Sequence, residues 1–212
     1  MSVRVVGVRA RKSNKERRRL QLIRSTIDSI AKRGFADTTM ADVAMGAGLS
    51  TGIVNFYFKN KDTLLFETLR FLADEYRIIW KRALDKARPT VIERLRALVL
   101  CDIDPIVCNR KKIATWYAFW GESKSRPTYL KICDSGDAEH FSVMQQLCTE
   151  LIVDGQYTGL DADQVALGLE AITDGLWQDL LLDPKSFDRA RARRICETFL
   201  ACVFSKHFTL PS

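Results

Sequence analysis

The sequence lacks most of the residue patterns that mark catalytic, secreted or membrane-bound chains. It has only two histidines, His140 and His207, and no Cys-x-x-Cys pair, so no metal site is expected. No glycine-rich phosphate loop and no nucleophile–base arrangement can be read in it, which argues against an enzyme and against a bound cofactor. No run of about 18 uncharged apolar residues is long enough to cross a bilayer. The N-terminus has no apolar signal core, because Arg4, Arg9, Arg11 and Lys12 interrupt it. A cytoplasmic location is therefore expected. Five prolines and eleven glycines in 212 residues, with few alternating apolar and polar runs, point to an all-α fold. The six cysteines (Cys101, Cys108, Cys133, Cys148, Cys196 and Cys202) sit in apolar helical contexts and read as buried thiols of a reducing compartment.

Charge is distributed unevenly. Residues 1–62 hold thirteen Lys/Arg against five Asp/Glu, whereas residues 63–212 hold twenty against twenty-one. The whole net charge of +7 therefore comes from the N-terminal segment. Such segregation is the electrostatic footprint of a nucleic-acid binder rather than of a merely solvated surface.

That same segment carries two short helical patterns with a tight turn between them. Thr38 or Thr39 can cap the first, and Asp42 in its first turn complements the helix dipole. Val43, Ala44 and Ala47 give it a small apolar face, and Gly48 breaks it in the left-handed conformation that glycine tolerates. Leu49 is expected to turn inward, and Ser50 to cap the next helix. Ile53, Val54, Tyr57 and Phe58 then form its inner face, leaving Thr51, Gly52, Asn55, Phe56 and Lys59 outside. Helix, glycine turn and helix in this order are the signature of a helix-turn-helix, whose second helix enters the DNA major groove.

The remaining chain reads as helices. A basic flexible arm is expected over residues 1–14, with a first helix from about Lys15 to Arg33 ended by Gly34. Leu20, Ile23, Ile27, Ile30 and Ala31 mark its buried stripe, and Phe35 packs under the following turn. Beyond the motif a long helix from Asn60 or Lys61 to about Ala87 carries Leu64, Leu65, Leu69, Leu72, Tyr76 and Trp80. Further helices are expected near Thr90–Cys101, Cys108–Gly121, Thr128–Asp154, Ala162–Leu182 and Phe187–Phe208. The domains follow as arm 1–14, DNA-binding 15–60, and ligand-binding and dimerisation 61–212. The last two helices carry broad apolar surfaces, Leu167, Ile172, Leu176, Leu180 and Leu181 on one and Ile195, Phe199, Cys202, Val203 and Phe208 on the other. Gly168 and Gly175 would admit a neighbouring helix, so a four-helix bundle between two subunits is expected.

A candidate ligand site lies in the aromatic segment around Trp116, Tyr117 and Trp120, joined by Asp174 and Trp177. Aromatic faces with a carboxylate suit a quaternary ammonium, which has no hydrogen to donate. Each ring taken singly also fits an ordinary core.

The wording of the motif strongly resembles that of the TetR family of bacterial repressors. The matching residues are Thr39, Val43-Ala44, Ala47-Gly48, Ser50-Thr51-Gly52, Tyr57-Phe58 and Lys61. Asn55, Phe56 and Tyr57 depart from the tyrosines and histidine common in relatives. The segments ATWYAFW and LEAITDGLWQDLL resemble the C-terminal half of BetI-type repressors, which respond to choline. The resemblance implies a homodimer on a pseudo-palindromic double-stranded operator, released by a small-molecule inducer. It implies phosphate contacts from Thr39, Tyr57, Lys59 and Lys61, and base-facing positions at Thr51, Gly52, Asn55 and Phe56, with Ser50 at the helix start. The choline form adds control of glycine betaine synthesis; the alternative is another cationic or hydrophobic inducer. Sequence-independent DNA packaging would instead give equal affinity for any duplex.

Overall fold

The computed structural model describes the backbone of residues 3–123 and 126–211, and the side chains among these except 3–13, 130 and 133–137. All regular elements in the described residues are helices. They are α1 (Val3–Arg33), α2 (Met40–Gly46), α3 (Thr51–Tyr57), α4 (Lys61–Lys86), α5 (Val91–Cys101), α6 (Arg110–Ser123), α7 (Pro127–Asp154), α8 (Ala162–Leu182) and α9 (Arg189–Val203). From Val3 on, the segment expected as an arm falls inside α1; its side chains up to residue 13 lie outside the described residues. The chain forms two compact units, one of residues 1–72 and 114–129, the other of residues 73–113 and 130–212.

In the first unit α1 packs on α2 and α2 on α3. Leu22, Ile23, Ile27 and Ile30 of α1, Val43 and Ala44 of α2, and Val54 and Phe58 around α3 supply the core. Two polar side chains fix the α1–α2 crossing: Ser25 Oγ donates to the Val43 carbonyl at 2.8 Å, and Gln21 Nε2 to that of Ala47 at 2.7 Å. Gly34 ends α1 at φ +87°, as expected of a glycine there. Phe35 packs edge-on against Phe119 and Tyr129, so α6 and the start of α7 are built into the first unit.

In the second unit α5 packs on α8 and α9, and α8 on α9. Thr90, Asp161 and Asp188 each cap a helix by accepting a backbone N–H. A polar clasp holds the C-terminal end. His207 lies between Tyr157 Oη at 3.0 Å and Asp154 Oδ2 at 2.9 Å, and the Lys206 N–H donates to Tyr157 Oη. The clasp closes over Gly155. A Cβ there would come within 2.3 Å of Tyr157 Cε2 and 2.6 Å of His207 Cε1. Gly155→Ala must therefore displace both rings, a cost of roughly 1–3 kcal/mol. At about 2–4 °C per kcal/mol for a chain of this size, the melting temperature should fall by several degrees. An unchanged melt would mean that the clasp opens freely.

The structure corrects several sequence expectations. Ile53 is exposed, because the seven-residue α3 needs only Val54 and Phe58 as anchors. Ser50 occupies the cap position of α3, but its side chain makes no capping bond. Gly168 serves the chain's own packing, since a Cβ there would stand 3.3 Å from Phe199 Cζ; a Cβ at Gly175 would meet nothing within 4 Å. Leu176, Leu180 and Phe208 are buried within the chain rather than presented on a face. Cys101, Cys108, Cys148 and Cys196 are buried, whereas Cys202 is exposed; Cys133 lies outside the described side chains.

Candidate functional site

The DNA-reading candidate is built by local chemistry. Thr39 Oγ1 accepts the Asp42 N–H at 3.1 Å while Asp42 Oδ2 accepts the Thr39 N–H at 3.1 Å, closing a capping box on α2. Gly48 takes φ +63°, and the N–H groups of Gly48 and Leu49 return to the Met45 and Ala44 carbonyls. This turn starts α3 at Thr51 and leaves Thr51, Gly52, Asn55, Phe56 and Lys59 exposed along one side. Phe56 is 75% exposed and leans edge-on against half-buried Tyr57, at 5.3 Å between ring centroids. A large apolar ring held out in water makes sense as a contact surface. Thr39 and Ser50 are exposed as well. Met45 of α2, 68% exposed, is a second large apolar residue exposed on the helix-turn-helix that sequence reasoning missed. Lys61 is half-buried, and its Nζ donates to the Ala36 carbonyl at 2.9 Å. It therefore tethers the α1–α2 loop to the start of α4.

The sequence-predicted ligand residues divide between the two units. Trp116, Tyr117 and Trp120 belong to the first. There Trp116 and Trp120 lie 5.9 Å apart on one side of α6, and Tyr117 meets Trp120 edge-on at 5.1 Å. Asp174 and Trp177 belong to the second unit, where they join a cluster that sequence reasoning did not assemble.

The centre of this cluster is Asp102, the C-cap of α5, only 3% exposed. Its carboxylate accepts the Tyr76 hydroxyl at 2.8 Å, and its backbone carbonyl accepts Trp177 Nε1–H at 2.7 Å. Tyr76 stands edge-on to Trp177 and tilted against the ring of buried His140, with Trp80 beyond. His140 Nδ1 is 3.8 Å from Glu170 Oε1. Arg189 holds the following loop from α9, donating to the Ile103 and Cys108 carbonyls. Lys112 grips it from α6 through the Ile106 carbonyl.

Buried Asp102 thus bonds Tyr76 and Trp177, Tyr76 lies against the His140 ring, and Glu170 stands next to that imidazole. Burial raises the Asp102 carboxyl above the usual carboxylate range. His140 and hydrogen bonds from Tyr76 and Thr173 oppose that rise, and Glu170 adds to it. Desolvation, then the Asp102 and Glu170 charges, push Asp174 up to about 6. Asp174 is itself exposed along α8, so solvent moderates this effect. Negative charge in a low-dielectric, aromatic-lined place is stabilised by a cation, and a cation without N–H groups is held equally well by the ring faces. Tyr76 and Trp80, four apart on α4, were the sequence signal available for this cluster. They have the same i, i+4 spacing as Trp116 and Trp120, but here both rings meet His140.

Two family profiles match the chain. Residues 22–68 match the profile of bacterial regulatory proteins of the tetR family, and residues 91–205 that of the BetI-type transcriptional repressor C-terminal domain. The chain belongs to the TetR family of transcriptional regulators, with a BetI-type C-terminal domain. It is 35% identical to the HTH-type transcriptional regulator BetI of Paraburkholderia phymatum over 91% of this chain and 95% of that one. The BetI of Paraburkholderia xenovorans is 33% identical over 90% and 95%. Among solved structures, a transcriptional regulator from Pseudomonas aeruginosa PAO1 superposes with a TM-score of 0.77 at 24% identity, covering 92% of this chain and 95% of that one. One from Saccharomonospora viridis, in complex with choline, gives 0.72 at 22% identity, covering 86% and 94%. The chain is accordingly a transcriptional regulator rather than an enzyme, of a family whose members bind DNA and function as dimers. Among the described residues no helix is long and apolar enough to cross a membrane.

Proposed function

We propose that the chain is a ligand-responsive repressor, bound as a dimer to a pseudo-palindromic operator and released by a small cationic inducer, with choline the leading candidate. The observation that carries the ligand class is the acid-rich aromatic cluster around Asp102. Its carboxylates favour a cation over the hydrophobic inducers that remained open from sequence. The BetI relatives and the choline-bound neighbour support the choline form, and with it control of glycine betaine synthesis.

The apolar residues left outside the chain's own core support pairing through the last two helices. Leu167 is 57% exposed, and Ile172, Ile195, Phe199 and Cys202 line a shallow groove of about 430 Å³. Two heads so joined would read two half-sites in successive major grooves. Inducer binding would favour a subunit arrangement that spaces the heads wrongly, a coupling of roughly 1–3 kcal/mol.

The test is fluorescence anisotropy on DNA from just upstream of the gene, against scrambled duplex, with and without choline. Tight binding to the upstream duplex alone, weakened by choline, is expected. Equal affinity for both duplexes would overturn the repressor reading, and specific binding indifferent to choline would overturn the inducer.

The same assay sorts the head residues. Asn55→Ala should change sequence preference, because Asn55 stands free on the outer side of α3. Lys61→Ala should weaken binding to all duplexes alike and lower the salt slope by about 1. Lys61 also tethers Ala36, so a loss of affinity with an unchanged salt slope would assign it the tether alone.

A further inference from the structure

We infer that Gly52 and Phe56 of α3 form an apolar notch that reads a thymine 5-methyl group in each operator half-site. This deepens the operator reading above and rests on it. Two independent observations carry it. The first is a glycine that the fold does not need. Gly52 has no positive φ, and a Cβ there would meet only Ser50 Oγ, at 3.8 Å, an ordinary contact. The other glycines of the helix-turn-helix differ. A Cβ at Gly46 would come within 2.5 Å of Ser25 Oγ, and Gly48 takes φ +63°. Glycine within a helix is less stable than alanine, because it has more backbone freedom to lose on folding. Nothing inside the chain repays that loss at residue 52. The reason for a bare backbone there lies outside the chain, in a surface that comes closer to α3 than a methyl group would allow.

The second observation is Phe56, one turn further on and on the same face as Gly52. Its ring is exposed, although Val54 and Phe58 already anchor α3 in the core. Among the described residues it meets one other ring, that of Tyr57, at an interplanar angle of 87°. That contact steadies the ring without covering it. The chemistry of what covers it follows from the surroundings. Lys59 is exposed just beyond, and residues 1–62 hold thirteen Lys/Arg against five Asp/Glu, so the approaching surface is polyanionic. A phenyl ring can neither donate to a phosphate nor pair with the donors and acceptors of a base edge. In the major groove of a duplex the one apolar group on offer is the thymine methyl. Gly52 lets α3 settle deep enough for that methyl to reach the ring. The missing Cβ and the exposed ring thus serve one contact.

The experiment replaces thymidine by deoxyuridine in the duplex from just upstream of the gene, one position at a time and symmetrically in both half-sites. Uracil keeps the pairing and the O4 acceptor and lacks only the methyl. Kd is read by fluorescence anisotropy, first with the wild-type chain. At one thymine per half-site the loss should be about fourfold for each half-site, roughly fifteenfold for the pair, as expected for one buried methyl each. In Phe56→Ala, thymine and uracil at that position should bind alike. Low salt keeps the variants' affinity measurable through their phosphate contacts. Gly52→Ala should melt at or above the wild-type temperature, yet lose roughly tenfold or more in affinity, the cost of overpacking a close contact. If no thymine is sensitive to loss of its methyl, or the sensitive one stays so in Phe56→Ala, the inference is overturned while specific operator binding stands. Wild-type affinity in Gly52→Ala overturns the close approach, and the notch with it. If the wild-type chain binds upstream and scrambled duplex alike, the operator reading itself fails, and this inference fails with it.

Discussion

Asp102→Asn should abolish the response to choline and at the same time raise the melting temperature at neutral pH. Asparagine keeps the size of the side chain and an oxygen for the Tyr76 hydroxyl, so the packing around Trp177 survives. What it removes is a charge held in a buried place. The folded-state carboxyl lies above its unfolded value, so the folded chain takes up a proton that the unfolded chain has lost. Below both values the group is neutral in either state and costs nothing. As pH rises through the unfolded value and on towards the folded one, the ionised carboxylate increasingly destabilises the fold. Asparagine escapes that loss. Wild type and variant should therefore melt alike in acid and diverge as pH rises, with the variant higher. The ligand sees the opposite effect. Removing one partner of a close, desolvated charge pair costs roughly 2–5 kcal/mol, which is at least about thirtyfold in affinity. Thermal melts over pH 4–8 and choline titration of the same preparation check both limbs. A variant less stable than wild type would make Asp102 a structural residue. A more stable variant with unaltered choline affinity would remove the carboxylate from the site. Stability given up locally for binding is what an evolved site commonly shows.

The contrast between the two candidate sites shows what a single sequence reveals. The DNA-reading head is made by neighbours in the chain. Thr39 and Asp42 are three residues apart, Gly48 carries its own positive φ, and Thr51, Gly52, Asn55 and Phe56 are the exposed positions of a short helix. Each of these rests on local rules, and each was legible. The Asp102 cluster brings Tyr76, Asp102, His140 and Trp177 together from α4, the end of α5, α7 and α8. No spacing in the sequence joins these residues, and Asp102 falls just beyond the helix expected over Thr90–Cys101. Trp177 and Asp174 are i, i+3 in the sequence, yet Trp177 is buried on the Asp102 carbonyl while Asp174 is exposed along α8. Gly168 shows the reverse error. A small residue on an apolar helix announces a close approach but not the partner, and here that partner is Phe199 of the same chain. Ile53 fails for a related reason. In a helix of two turns a period of 3.6 is satisfied by two anchors, and a third apolar residue is left for the surface.

Phe119→Ala should be the most damaging single change in the first unit. The ring is fully buried, 5.4 Å from Phe35 and 5.2 Å from Tyr129, edge-on to both. Phe35 sits on the loop between α1 and α2, the first helix of the helix-turn-helix. Truncating a buried phenylalanine costs about 3–5 kcal/mol, a large share of the 5–15 kcal/mol that holds a typical domain together. Operator affinity should fall with it, because α2 and α3 are aimed from the corner that Phe35 anchors. Arg126 lies over the same rings, 5.8 Å from Phe35 and 5.5 Å from Tyr129, and pairs with Asp62 Oδ1 at 2.7 Å. That pair is solvent-exposed, so Arg126→Ala should cost only ~1 kcal/mol. Denaturant unfolding of the two variants separates the contributions, and hydrogen exchange over residues 35–69 locates the loss. Equal costs would mean that the ion pair, and not the ring stack, fixes the corner. A Phe119→Ala chain that melts as wild type but no longer binds operator would be more informative still. It would mean that α6 orients the head without contributing to its stability, the arrangement through which a ligand-induced movement of α6 could reach DNA.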